Sequence, residues 1–372
     1  MSALWLPGSP AFEGFHPPDL LWQPVEESFA KEPACSVFLK TLSRRFGAYA
    51  GLARLRTSHP LPFGYYRLKQ AEGELFLKVV TPAQAERHLA ADKVVQWLNA
   101  RGIATSPVQE SIVLDDTATL LVQDYLPGRF CAQNRQEMQC LGRSLGRLHL
   151  ALQAFPQAGD VKARGMARFA HLQARLQAWQ KGGLAIELPG EVMAVLRTYP
   201  ADALQVLVEE AQMVHGDLNL GNVWMAAEGD RIQCVFLDWE DSLSAWFNPM
   251  KDLAFVLERF VLTHDLEQDA HLGLGLAFLQ AYYEAHHRRF NHPEHLTELL
   301  QALAVRALLL LIEAAQVAHQ PLSAEWKKFV FLYKLADQQR PLLQSILCQA
   351  AESALNSSLP PAIPPPRSRS KS

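Results

Sequence analysis

Between about Gly51 and Leu126 the apolar residues fall in short runs of strand character: Gly64–Leu68, Glu74–Val80, Ser111–Leu114 and Thr119–Asp124. One helix interrupts them. It starts near Pro82, a favourable first-turn residue, carries Leu89, Ala90, Val94, Trp97 and Leu98 on one face, and stops at Arg101-Gly102. After Pro127-Gly128 the period lengthens to that of helices, with amphipathic segments over 137–154, 166–181, 190–198, 201–212, 250–262, 268–289, 294–318 and 324–354. Only the stretch from Val214 to Asp238 breaks this helical pattern with strand-like runs. No repeat recurs at a fixed period. The pattern predicts an α+β chain in two lobes: a small antiparallel sheet with one helix over 41–126, and a larger helical lobe with an inserted hairpin over 127–355. Clustered prolines mark residues 1–40 as an irregular arm packed on the body. The Pro, Ser and basic residues of 356–372 read as a disordered tail.

Composition then narrows the classes of partner. In 372 residues, 49 % hydrophobic, 35 basic side chains face 38 acidic ones, so a net charge of −3 provides no general attraction to nucleic acid or to an anionic membrane. Any anion must be held locally. The longest strongly apolar run, Ala307–Ile312, is far short of a bilayer span, and the first residues lack the basic and apolar regions of a signal peptide. Five scattered cysteines without a C-x-x-C pair argue against disulfide and zinc frameworks, and a reducing cytoplasm is the expected setting.

Candidate chemistry concentrates in His215-Gly216-Asp217-Leu218-Asn219-Leu220-Gly221-Asn222. An acid and an amide five positions apart in a glycine-containing loop have the spacing of a catalytic base and a magnesium-binding Asn. A second acid, Asp238, ends the apolar run Cys234–Leu237, and the Gly229-Asp230 turn signal allows Asn222 and Asp238 to meet across a hairpin. Magnesium prefers such oxygen ligands together with phosphate oxygens. An isolated H-G-D triplet is usually a turn, but here the loop, hairpin and strand-ending acid occur together and in order. A polyphosphate also needs a cation. Lys78 lies near the end of an alternating strand, one short loop before the small lobe's helix.

These motifs resemble those of the aminoglycoside phosphotransferase and choline kinase-like family, whose fold is that of the protein kinases; the resemblance covers most of residues 40–320 and is most specific over His215–Val223 and Phe236–Glu240. It implies that Asp217 is the catalytic base, that Asn222 and Asp238 hold Mg2+ on ATP, and that Asp252 braces the catalytic loop. It further implies that the adenine edge meets the backbone around Asp124 and Leu126. Glu86, placed on the helix's apolar face, is the candidate partner of Lys78. Counting back from Trp97-Leu98 puts the family's glutamate near Ala91 instead, which leaves Asp92 as an alternative. The phosphate-covering segment Thr57–Gly64 has a single glycine, unlike the loop of protein kinases. Only 14 positions separate Asp238 from Asp252, too few for a peptide-binding activation segment. The expected acceptor is therefore a small molecule's hydroxyl: an amino alcohol, sugar, amino acid or aminoglycoside-like compound. An atypical serine/threonine protein kinase and a nucleotide-binding scaffold without turnover are the rival readings. His286, His287, His292 and His295 lack the spacing of a metal motif.

Overall fold

The computed structural model describes residues 20–25, 29, 31–57, 59–182, 187–228, 231–264, 266–287, 290, 292 and 294–357. Of the tail expected over 356–372, only residues 356 and 357 fall among them, closing the last helix.

Six antiparallel strands form the small lobe in the order β1-β2-β3-β4-β6-β5. They are β1 (Trp22–Pro24), β2 (Gly51–Leu55), β3 (Gly64–Lys69), β4 (Glu74–Val80), β5 (Glu110–Val113) and β6 (Thr119–Asp124). Among the described residues, two helices accompany the sheet, α1 (Pro33–Phe46) and α2 (Pro82–Asn99). The four runs of strand character all become strands; β1 and β2 complete the sheet beyond them. The expectation of an irregular arm over 1–40 fails at its C-terminal end. Helix α1 runs through residue 40 and buries Cys35, Phe38 and Leu42 against Tyr66, Leu68 and Leu77 of the sheet. The prolines that suggested irregularity sit where regular structure tolerates them, Pro33 in the first turn of a helix and Pro24 on an edge strand. Helix α2 starts on a reciprocal Thr81–Gln84 cap followed by Pro82, as its sequence demands.

The sheet ends at Asp124, and β7 (Gly128–Phe130) pairs instead with the hairpin β9 (Val223–Glu228) and β10 (Arg231–Phe236) of the large lobe. The other pair there is β8 (Gln212–Met213) with β11 (Trp246–Phe247). Among the described residues, eight helices build the remainder: α3 (Arg135–Gln153), α4 (Ala158–Gln180), α5 (Gly190–Thr198), α6 (Met250–Leu257), α7 (Gln268–His286), α8 (His295–Ala318), α9 (Trp326–Gln338) and α10 (Arg340–Ser357). The helix expected over 201–212 is a 3-10 turn at Ala201–Leu207. The long one expected over 324–354 breaks into α9 and α10, because Pro341 cannot continue a helix through its missing N–H and its clash one turn back. By length and mean hydropathy (1.6) α8 could cross a membrane. Its leucines, Leu296, Leu299, Leu300, Leu303, Leu308 and Leu309, instead fill the large lobe's core.

Helices α3 and α7 approach most closely at Gly142 and Gly146. A Cβ at Gly142 would stand 2.2 Å from the Phe278 carbonyl oxygen, a backbone atom that cannot swing away. Gly142→Ala should therefore separate the helices and destabilise the chain by about 2 kcal/mol or more, read as a lowered thermal unfolding midpoint; an unchanged midpoint would show that the contact is slack.

Candidate active site

The hairpin register places Val223 opposite Phe236, and the Leu237 N–H then donates to the Asn222 carbonyl (3.0 Å). The loop before β9 and the residues after β10 are thus held side by side. Gly216 has φ +94°, a conformation side chains resist, and a Cβ there would lie 2.7 Å from that of Ala245. This turn presents Asp217. Its Oδ2 accepts from Asn219 Nδ2 and Asn222 Nδ2, both at 3.0 Å, and burial pushes its carboxyl pKa up. With Nδ2 committed to Asp217, Asn222 retains its amide oxygen as a donor to a cation. Asp238, half exposed and in the left-handed region at φ +55°, offers a carboxylate beside it. One amide oxygen and one carboxylate suit a hard cation such as Mg2+.

Behind the loop, Asp252 is wholly buried. It accepts the backbone N–H groups of His215 (3.0 Å) and Gly216 (3.3 Å), and touches His149 Nε2 (3.2 Å) and Lys251 Nζ (3.4 Å). Burial alone would raise its pKa, but the Lys251 ammonium and the two histidines hold it well below the usual carboxylate range. Lys251, equally buried, also donates to the Gly216 carbonyl, so one ion pair grips both sides of the turn. Burial lowers the pKa of His215; its Nε2–H donates to the Leu237 carbonyl (2.9 Å) and its Nδ1 accepts the Asp217 N–H (3.3 Å).

A cleft of about 420 Å3 runs between the lobes, lined by Lys78, Asp124, Leu126, Asn222 and Asp238 among others. Lys78 Nζ lies 3.3 Å from Asp238 Oδ1 and 3.7 Å from Glu240 Oε1. Burial opposes its charge, yet Asp238, Tyr65 and Glu240 outweigh that and raise its pKa. The arm residues Leu20 and Trp22 also line the cleft. Over it, the segment before β3 is held by Arg54, whose Nη2 donates to the carbonyls of His59 (2.8 Å) and Phe63 (3.1 Å), and by the Tyr66 hydroxyl on the Pro62 carbonyl (2.5 Å). Fixed hydrogen bonds thus position a loop that holds a single glycine.

The model of the phosphotransferase enzyme family, APH, matches residues 64–296. The chain belongs to this family. It is a phosphotransferase of hydroxyl acceptors with the bilobal α+β fold, as the resemblance implied. No curated protein sequence matches it. Among solved structures, an amicoumacin kinase bound to AMP-PNP, Ca2+ and amicoumacin is 17 % identical (TM-score 0.56; 84 % of this chain, 96 % of that one). A spectinomycin phosphotransferase with ADP and spectinomycin is 11 % identical (TM-score 0.51; 84 % and 97 %), and an aminoglycoside phosphotransferase is 14 % identical (TM-score 0.50; 84 % and 99 %). At these identities the likeness is one of fold.

Within this APH fold the helix partner of Lys78 departs from expectation. Glu86 is exposed, and Lys78 pairs with Asp238 and Glu240 instead. The helix face was misread only in its N-terminal half: Val94 and Leu98 are buried as expected, but Leu89 is 38 % exposed and Ala90 is exposed, while Ala85, Ala91, Asp92 and Val95 face inward. Asp92 is no partner either, since it accepts from the Val108 N–H (2.8 Å) and from Gln96 Nε2 (2.5 Å). The inward position near Lys78 belongs to His88, whose Nδ1 is 2.6 Å from Glu240 Oε1. Helix α2 thus reaches Lys78 through the chain His88–Glu240. A glutamate directly after D-W and a histidine three residues from Ala85 were its only signals. His292, Glu294 and His295 bring their ligand atoms within 4.8 Å of one another at an exposed helix start, away from this site.

Burial would raise the Glu240 pKa, but His88 and Lys78 lower it to about 2 from an ordinary 4.5. Its stabilisation is complete above pH 4.5 and is lost as pH falls toward 2. The stability difference between the wild type and Glu240→Gln, measured by urea unfolding, should shrink between about pH 6 and pH 2.5. A constant difference would show that the ion pairs contribute nothing.

Proposed function

We propose that the chain transfers the γ-phosphoryl group of ATP, with Mg2+, to a hydroxyl of a small molecule. The observation that carries this reading is the convergence of Lys78, Asn222 and Asp238 at one interlobe cleft, with Asp217 hydrogen-bonded to Asn222. Lys78 meets the nucleotide phosphates, and the backbone around Asp124 and Leu126 lies along the cleft where the adenine edge binds. Asn222 and Asp238 would hold the metal, which supplies charge neutralisation on the phosphates when bound. Asp217 orients the acceptor hydroxyl and takes its proton as the acceptor O–P bond forms and the β,γ-bridging O–P bond breaks. ADP leaves, and the proton passes to solvent. Its raised pKa makes it a stronger base than an exposed carboxylate. The AMP-PNP and ADP complexes of the amicoumacin and spectinomycin enzymes support the choice of an adenine nucleotide.

A small acceptor is favoured over a protein. Between Asp238 and Asp252 the chain forms a 3-10 turn (Glu240–Ser244) and β11, then enters α6 directly. No extended platform for a peptide intervenes. Asp217→Asn should lower kcat by about 100- to 10,000-fold while Mg·ATP binding, followed by calorimetry, survives. Asp238→Ala should weaken both. Wild-type turnover in Asp217→Asn would remove the assigned base.

A further inference from the structure

Helices α4 and α8 are joined by polar contacts that stop short of the active site. His171 Nε2 lies 2.8 Å from Glu313 Oε1, and Arg175 donates to Gln316 (Nη2 to Oε1, 2.6 Å) with Nη1 3.9 Å from Glu313. Here a base on α4 meets an acid or amide on α8. Seven residues earlier on each helix, two turns nearer the catalytic loop, both helices present arginine: Arg168 (175 − 7) and Arg306 (313 − 7). Arg168 Nη1 reaches only a hydroxyl, Ser244 Oγ at 3.3 Å. Arg306 makes no hydrogen bond or ion pair among the described residues, and its Nε is buried without a partner. Its guanidinium sits over the Phe247 ring at 5.4 Å, the ring that also faces Lys251 Nζ at 5.6 Å. Lys251 in turn holds Gly216, next to Asp217.

Like charges brought close destabilise one another, and partial burial together with Arg168 lowers the Arg306 pKa to about 10. The acids that act on Arg306 are Asp217 and Asp241. Neither is within 4 Å of it, and Asp241 is engaged by Arg87 (3.8 Å). A guanidinium whose donors are unused is built to meet a planar or tetrahedral anion.

We propose that Arg306, with Arg168, binds an anionic group of the acceptor, so that the substrate is a hydroxyl compound carrying a carboxylate or phosphate rather than a polycationic one. This rests on the phosphotransferase reading above. It also accounts for the unpartnered Arg306 guanidinium, which a cationic acceptor would leave without a use.

The test is ATP-dependent phosphorylation of matched acceptor pairs that differ only in the anion: glycerate and glycerol, homoserine and its amide, glucose 6-phosphate and glucose, with choline and kanamycin as cationic probes. The anionic member of a pair should be favoured in kcat/KM by roughly 10- to 100-fold, mainly through KM, since charged hydrogen bonds contribute on that scale. The carboxylate and phosphate pairs separate the two anion types. Arg306→Met should bring that ratio toward one, Arg306→Lys should restore part of it, and Arg168→Met serves as a second, independent removal. Preference for neutral or cationic acceptors, or a ratio unmoved by both removals, overturns the anion site and leaves the phosphotransferase reading intact. Absence of transfer to every acceptor overturns both.

Discussion

The catalytic loop depends on one buried carboxylate. Asp252 has no water to solvate it, so its charge is tolerable only because two backbone N–H groups, two histidines and the Lys251 ammonium surround it. That necessity fixes the turn at His215-Gly216. The turn in turn aims Asp217 and leaves Asn222 hydrogen-bonded to it, with the hairpin register bringing Asp238 alongside. Lys251 closes the arrangement by donating to the carbonyl of the same glycine. Removing either member would strand the other as a buried, uncompensated ion, so the pair behaves as a single structural unit.

The two lobes are joined by charge as well as by chain. At the hinge, buried Glu137 accepts from the Ala132 N–H (2.7 Å) and from Arg129 Nη1 (3.0 Å), tying β7 to the start of α3. Across the cleft, Lys78 from β4 and His88 from α2 both converge on Glu240 of the large lobe. A glutamate on the large lobe therefore performs the bracing that was expected from α2 itself, and lobe orientation and lysine placement become one variable.

How far the site was legible in the sequence follows from how local its determinants are. Asp217, Asn222 and Asp238 lie within 22 positions (238 − 217 + 1), and turn chemistry plus a strand pattern suffices to juxtapose them. Lys78 was legible from strand alternation. Glu86 was misassigned because a weakly amphipathic helix allows two faces, and Leu89 at its surface pointed to the wrong one. Strand β1 was hidden by its prolines and its brevity. Arg168 and Arg306 gave no signal at all, since their confrontation exists only through the packing of α4 on α8, 138 residues apart (306 − 168). Local chemistry is written locally, whereas the meeting of these two arginines is a product of tertiary packing.

The contact between Lys78 and Asp238 has a consequence for the order of events at the cleft. The two groups already neutralise each other, so neither is an open charge awaiting a ligand. A bare dication must compete with the lysine for Asp238, and a bare polyphosphate must compete with Asp238 for the lysine. On the proposed reading, a nucleotide arriving with its metal would replace both at once, the carboxylate going to the metal and the ammonium to the phosphates. Binding would then be an exchange of ion pairs that conserves their number, and the cleft would discriminate in favour of the assembled complex over either component.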